Sequence, residues 1–166
     1  PVTDVFPDLH VGVVSTDLGT STANDPQPGP GIGSGPGSCT GRGKDGVLQA
    51  SAVMTSGNFL YDRDMGGGVR ERNYTGSFID ALTSISALGS NGCGFEQPLL
   101  AAVRAASQTA NVGFLRQAAP LAIIVITNED DCSEAPGVPI FDTTQNSTLT
   151  SQLGPPSNFR CNEFGH

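Results

Sequence analysis

The sequence predicts an α/β fold: a doubly wound, mostly parallel sheet flanked by helices. Three observations point there. Leu121–Ile126 is an unbroken apolar run, Leu-Ala-Ile-Ile-Val-Ile, of the kind that fills a strand buried on both faces, typically a central parallel strand. Two stretches with apolar residues at helical spacing precede it. A second β-type run, His10-Val-Gly-Val-Val-Ser15, stands near the start. A strand, a helix pair and a buried strand in that order make a layered α/β domain.

The elements follow in chain order. His10–Ser15 is a predicted strand, with Asp17-Leu-Gly-Thr-Ser21 at its carboxyl end. Residues from about 20 to 46 are dense in Gly, Pro, Ser and Asp and carry no apolar periodicity, so a long loop is expected. Gly46–Val53 and Asn58–Tyr61 are short strand candidates for a sheet edge. Asp62–Glu71 reads as a charged, Gly-rich turn. A helix is expected over Ser77–Leu88, with Ser77 as cap, Asp80 three residues on, and Phe78, Leu82, Ile85 and Leu88 on one face. Pro98 suits the first position of a second helix. Its predicted buried stripe is Leu99, Leu100, Val103, Ala106 and Ala110. Beyond Cys132, Pro136–Phe141 reads as an extended link, Thr143–Leu153 as a short polar helix, and Phe159–Phe164 as the chain's last segment.

With 166 residues, a single domain spanning 1–166 is expected, large enough to bury about 70% of its unfolded surface. The formal net charge is -8, and Lys44 is the one lysine. No basic stripe exists to neutralise phosphates, which argues against a nucleic-acid partner. No apolar run reaches the length of a membrane span. The chain opens on Pro1 rather than Met, which suggests processing or truncation at the N-terminus.

Four cysteines, Cys39, Cys93, Cys132 and Cys161, are widely spaced. There is no CxxC, and His10 and His166 have no zinc-like spacing. An even count among Gly- and Pro-rich loops predicts two disulfides and a secreted, periplasmic or cell-surface location. Buried thiols in a reducing compartment are the alternative. Three pairings are open. A doubly wound fold sets the Cys93 and Cys132 loops on one rim, and closing a loop of about 40 residues stabilises by roughly 4 kcal/mol. That favours Cys93–Cys132, leaving Cys39 and Cys161 for each other or for cysteines beyond the chain.

The predicted strand ends in Thr127-Asn-Glu-Asp-Asp-Cys-Ser133. Open α/β sheets bind ligands just past their strands' carboxyl ends. Asn128, Asp130 and Asp131, joined by Glu96 from the Gly92–Pro98 loop, are candidate oxygen ligands for Mg²⁺ or Ca²⁺. The plainer alternatives are a solvated acidic turn and, for Glu96, an interaction with the helix dipole. Nucleophilic catalysis finds little support. Cys93 has no nearby histidine, and His10, Ser15 and Asp17 form no recognisable triad order. Gly29–Gly37 lacks the GKS or GKT of a phosphate loop. Asn73-Tyr-Thr75 and Asn146-Ser-Thr148 match the glycosylation acceptor pattern.

These blocks together resemble a von Willebrand factor A domain of a bacterial secreted or surface branch. The matching residues are Pro7–Asp17, Gly92-Cys-Gly-Phe-Glu-Gln-Pro-Leu99, Asn111-Val-Gly-Phe-Leu-Arg116, Ile123–Ser133 and Phe159-Arg-Cys161. The resemblance implies a doubly wound sheet and a binding role in adhesion or assembly, with no catalysis. It also implies a metal-ion-dependent adhesion site built from three loops, and this chain departs from that pattern at each. The D-x-S-x-S motif is not found. Asp17-Leu-Gly-Thr-Ser21 has Gly19 in the middle and follows what matches the second strand, so the motif's own strand would lie before Pro1. Gly92–Glu96 has no Thr, and Asn128 stands where an Asp is usual. Glu96, Asp130 or Asp131 would have to compensate.

The function expected is therefore an extracellular binding or adhesion module, not an enzyme. Its partner would be a protein or other extracellular ligand, with Mg²⁺ or Ca²⁺ as candidate cofactor. Two rivals remain: a disulfide-stapled interaction domain with a degenerate metal site, and a hydrolase using the acidic rim.

Overall fold

The computed structural model describes residues 6–23, 27–134, 138–144, 152–154 and 158–165. Three strands form one antiparallel sheet: β1 (Leu9–Val11), β2 (Leu60–Asp64) and β3 (Arg70–Arg72), in the order β1-β2-β3. His10 pairs with Tyr61 and Asp62 with Arg72. The β2–β3 reversal runs through Gly66, Gly67 and Gly68, all at positive φ, where a side chain would be strained. Its ends are held by the Met65 N–H donating to the Val69 carbonyl at 2.9 Å.

The strand period of two sets Leu60 and Asp62 on the inner face of β2. Leu60 joins Tyr74, Ala81 and Ile85 in a buried cluster, with Val11, Val13, Phe78 and Leu82 packed around it. Asp62 is a carboxylate in that apolar setting. Tyr74 Oη and Arg70 Nε both donate to it. Burial pushes the Asp62 carboxyl up, but hydrogen bonds from Tyr74 and Arg70 and the charges of Arg70 and Arg72 outweigh it, so the net direction is down. A carboxyl lowered by folding stabilises fully above its unfolded value, near pH 4. That contribution fades as pH falls through the lower folded value. Urea midpoints of the wild type and Asp62→Asn should therefore differ most at neutral pH and converge towards pH 2. A gap independent of pH would rule this out.

Helix α1 (Phe78–Ser86) forms where its sequence signals place it. Ser77 Oγ accepts from the Asp80 N–H at 3.1 Å and donates to Asp80 Oδ2 at 2.7 Å, which satisfies an amide the helix leaves unpaired. Helix α2 (Pro98–Ser107) starts on its proline. A 3₁₀ turn (Thr109–Asn111) follows. Asn111 ties this turn to the loops. Its Oδ1 accepts from Leu48 N and Asn58 Nδ2, and its Nδ2 donates to the carbonyls of Gly46 and Ala105. Helix α3 (Asn158–Phe164) closes the chain.

The doubly wound parallel sheet is not what forms. The sheet is small and antiparallel, and Leu121–Ile126 is not in it. Ile123, Ile124 and Ile126 are 61%, 83% and 90% exposed. A strand buried on both faces needs a neighbour on each edge and a layer on each side. Here the three strands pair among themselves and α1 covers their inner face, so none of the described elements encloses residues 121–126. Gly46–Val53 is likewise no strand; only an isolated bridge joins Val14 to Leu48. Asp62–Glu71, read as a turn, holds most of β3 and most of β2. The buried face of α2 is Leu100, Ala101 and Ala105, while Leu99 and Val103 are exposed. The expected stripe is thus rotated. Most of the predicted Thr143–Leu153 helix lies outside the described residues.

Candidate functional site

Three loops meet through backbone hydrogen bonds. The Gln97 N–H donates to the Thr16 carbonyl at 2.9 Å, and the Cys132 N–H donates to the Glu96 carbonyl at 2.7 Å. The end of the His10 segment, the approach to α2 and the acidic turn therefore share one rim. Ser133 locks it further. Its Oγ accepts from the Leu100 N–H near the start of α2 at 3.0 Å and donates to Asp131 Oδ1 at 2.8 Å.

The four cysteines form two disulfides, and the favoured pairing is corrected. The bonds are Cys39–Cys93 and Cys132–Cys161, not Cys93–Cys132 and Cys39–Cys161. The Cys93 and Cys132 loops are adjacent, but adjacency is not bond geometry. Each bonded pair has its Cα atoms 4.4 Å apart, within the narrow range a disulfide spans. Cys39 reaches Cys93 because its loop folds back: Ile32 and Cys39 exchange two backbone hydrogen bonds at 2.9 Å, and the Gly94 N–H donates to the Gly37 carbonyl at 2.9 Å. Both bonds lie in one buried cluster with Ile32, Ile140 and Phe141.

The residues proposed as metal ligands occupy this rim without converging. Glu96 Oε2 accepts from Thr127 Oγ1 at 3.0 Å. Thr127 Oγ1 also accepts from the Glu129 N–H at 3.1 Å, forming a tight turn. Asn128 and Asp130 are exposed, and Asp131 turns inward to Ser133. Among the described residues, no group of three or more His, Cys, Asp or Glu side chains is arranged to hold a metal ion.

A polar cleft of about 540 Å³ lies beside the rim, over the Cys39–Cys93 bond. Asp17, Arg42, Lys44 and Asn91 line it. Asp17 fits only because its neighbours lack side chains: a Cβ on Gly43 would come within 2.2 Å of Asp17 Oδ1. Asp17 Oδ1 accepts from the Gly19 N–H at 3.0 Å, so the Asp17–Ser21 segment shapes a loop. The cleft's lining is mostly polar, with little of the apolar surface that usually retains a small ligand.

His10 stands apart from both features. Burial lowers its pKa, a hydrogen bond to the Phe114 carbonyl opposes this, and Arg63 adds to the lowering. Its ring nitrogens bond to the Phe114 carbonyl and meet Arg63, not Ser15 or Asp17, so no triad of His10, Ser15 and Asp17 is brought together. Asn73 of the first glycosylation pattern is 2% exposed, and its side chain bonds to Tyr61, Ser56 and Phe59. It is not open to modification. Asn146 lies outside the described residues.

What the sequence reading missed is the surface of residues 121–126. Leu121 and Val125 are 52% and 47% exposed, and no backbone hydrogen bond involves residues 121–126 among the described ones. The apolar run itself is the signal, since its composition alone cannot distinguish a core strand from an exposed apolar segment. No protein-family model, curated protein or solved structure matches this chain. The two disulfides are compatible with a secreted or extracellular protein. No helix among the described residues is long and apolar enough to cross a membrane.

Proposed function

We propose that this chain is an extracellular binding module that recognises an extended protein segment along Leu121–Ile126. The observation that carries this is the exposure of five large aliphatic side chains on a stretch that makes no backbone hydrogen bond among the described residues. Soluble proteins rarely leave such a patch open unless it meets a partner. An unpaired strand edge is a template for another strand. Its main-chain groups give affinity, and the alternating side chains give selectivity. The acidic turn at its carboxyl end favours a partner with a basic residue there. Binding without catalysis is also the role implied by the resemblance to von Willebrand factor A domains, although the sheet implied by that resemblance is absent.

The test is a fluorescein-labelled strand peptide of alternating threonine and valine with a lysine at each end. Its anisotropy should rise saturably with micromolar wild-type protein. The Ile124→Pro variant should lose the effect, because it removes an amide and bends the strand. Ile124 is 83% exposed, so the fold should survive the change, as circular dichroism would check. No saturable binding up to about 100 µM, a free energy near -5.5 kcal/mol, or equal binding by the variant, would refute the proposal.

A further inference from the structure

We propose that His10 is a pH-sensitive latch between β2 and the 112–116 turn: its neutral ring joins Arg63 to Phe114, and its protonation opens the Arg63 side. The latch is independent of the partner proposed for residues 121–126. A neutral imidazole has one N–H donor and one acceptor nitrogen, and here both are engaged. Nδ1 lies 2.8 Å from the Phe114 carbonyl, which only accepts. Nε2 lies 3.0 Å from Arg63 Nη2 and 3.3 Å from Arg63 Nε, which only donate. A single form of the ring satisfies both neighbours, with the proton on Nδ1 and the lone pair on Nε2. His10 therefore relays hydrogen bonds across three segments, from β2 through β1 to the turn that follows the 3₁₀ helix.

Acid conflicts with this arrangement. A protonated ring donates from both nitrogens. Its Nε2–H would face the guanidinium N–H groups from which Nε2 now accepts, and two positive charges would meet. Arg116, which comes off the same turn and donates to the Asp8 carbonyl at 3.1 Å, also opposes a charge on His10. The rings packed against His10, Phe59 at 5.0 Å and Tyr61 at 6.3 Å, supply no carboxylate. The Phe114 bond should survive protonation, since a charged donor strengthens it. Arg63 should turn away, and it has partners elsewhere: Glu71 on β3 at 3.7 Å and the Tyr61 ring 4.3 Å beneath it. Burial lowers the His10 pKa from 6.5, the Phe114 bond opposes this, and Arg63 and Arg116 add to the lowering. A base lowered by folding stabilises fully above its unfolded value, and that contribution is lost as pH falls through the folded one. The latch is thus closed above about pH 6.5 and opens on the acid side.

Nitrogen-15 NMR of the histidine rings in the intact chain tests this. The chain has two histidines, so His10→Gln assigns their signals by removing one set. At about pH 8, well above the ordinary histidine range, the His10 ring should show the Nδ1–H tautomer. On acidification it should titrate with a midpoint below 6.5, and the Arg63 Nε–H signal should shift with the same midpoint. In Arg63→Met, a change at a side chain 40% exposed, the His10 midpoint should rise, because methionine brings no charge and no N–H to Nε2. An Nε2–H tautomer in the alkaline sample overturns the latch, as does a His10 midpoint at or above 6.5. An Arg63 signal that does not follow His10 does so too. So does an Arg63→Met protein whose His10 midpoint equals that of the wild type.

Discussion

Replacing Cys39 and Cys93 together by serine should lower the unfolding free energy by about 4 kcal/mol, the largest loss expected from any disulfide change here. The bond closes 54 residues. In the chain-entropy model its value grows with the logarithm of that span, which puts Cys132–Cys161, closing 29 residues, near 3.5 kcal/mol. Burial adds to the loss. Cys39 is 0% and Cys93 6% exposed, so two hydroxyls would be set in an apolar cluster that offers them few partners. A domain is typically stable by about 5–15 kcal/mol, so either change removes a large fraction. Urea unfolding of both double variants checks the ranking. A Cys39→Ser/Cys93→Ser protein within about 1 kcal/mol of the wild type would show that the 20–46 loop is held by its other bonds. Those bonds run from Thr20 to Gly29 and Gly41, and from Lys44 to Asp17.

The two middle helices were legible because their signals are local. The Ser77–Asp80 cap and Pro98 each act within one turn, and α1 and α2 begin where these residues stand. The buried face of α2 was not legible. Its apolar residues surround more of the helix than one stripe, and the choice of Leu100, Ala101 and Ala105 over Leu99 and Val103 depends on what packs beside it. The sheet failed for a related reason. β3 is Arg70-Glu71-Arg72, which carries no apolar alternation. It exists because three glycines turn it back onto β2 and because Arg70 reaches Asp62. The Leu121–Ile126 run failed in the opposite direction. Apolar composition records a preference for burial and says nothing about whether neighbours are supplied. Of the rim, the sequence reading set the Cys93 and Cys132 loops side by side on the strength of a doubly wound sheet that does not form. It chose the wrong covalent partners because a backbone hydrogen bond, not a disulfide, joins their loops.

Arg160→Met should cost about 3–5 kcal/mol, since it strips the donors from a set of buried carbonyls. Arg160 is 0% exposed. Its Nη1 donates to the Ile140 and Asp142 carbonyls at 2.7 and 2.8 Å, and its Nη2 to the Gly154 carbonyl at 2.7 Å. Burial lowers its pKa and the nearby Asp142 charge opposes that, yet a guanidinium stays protonated in proteins. Methionine matches the aliphatic stem, so packing changes little and the lost hydrogen bonds dominate. Arg160→Lys keeps the charge but replaces a planar fork with one ammonium, which cannot reach all three carbonyls, so an intermediate loss is expected. Cys161 adjoins Arg160 and remains bonded to Cys132. The C-terminal helix should thus stay tethered while its docking loosens, and hydrogen exchange should quicken at 138–142 and 158–165 before it does in β2. The same bond leads back to the acidic turn, so Asp131 and Ser133 should loosen next. Uniform acceleration across the chain would instead mean that Arg160 supports the whole fold cooperatively. A methionine variant as stable as the wild type would mean that water or other donors satisfy those carbonyls.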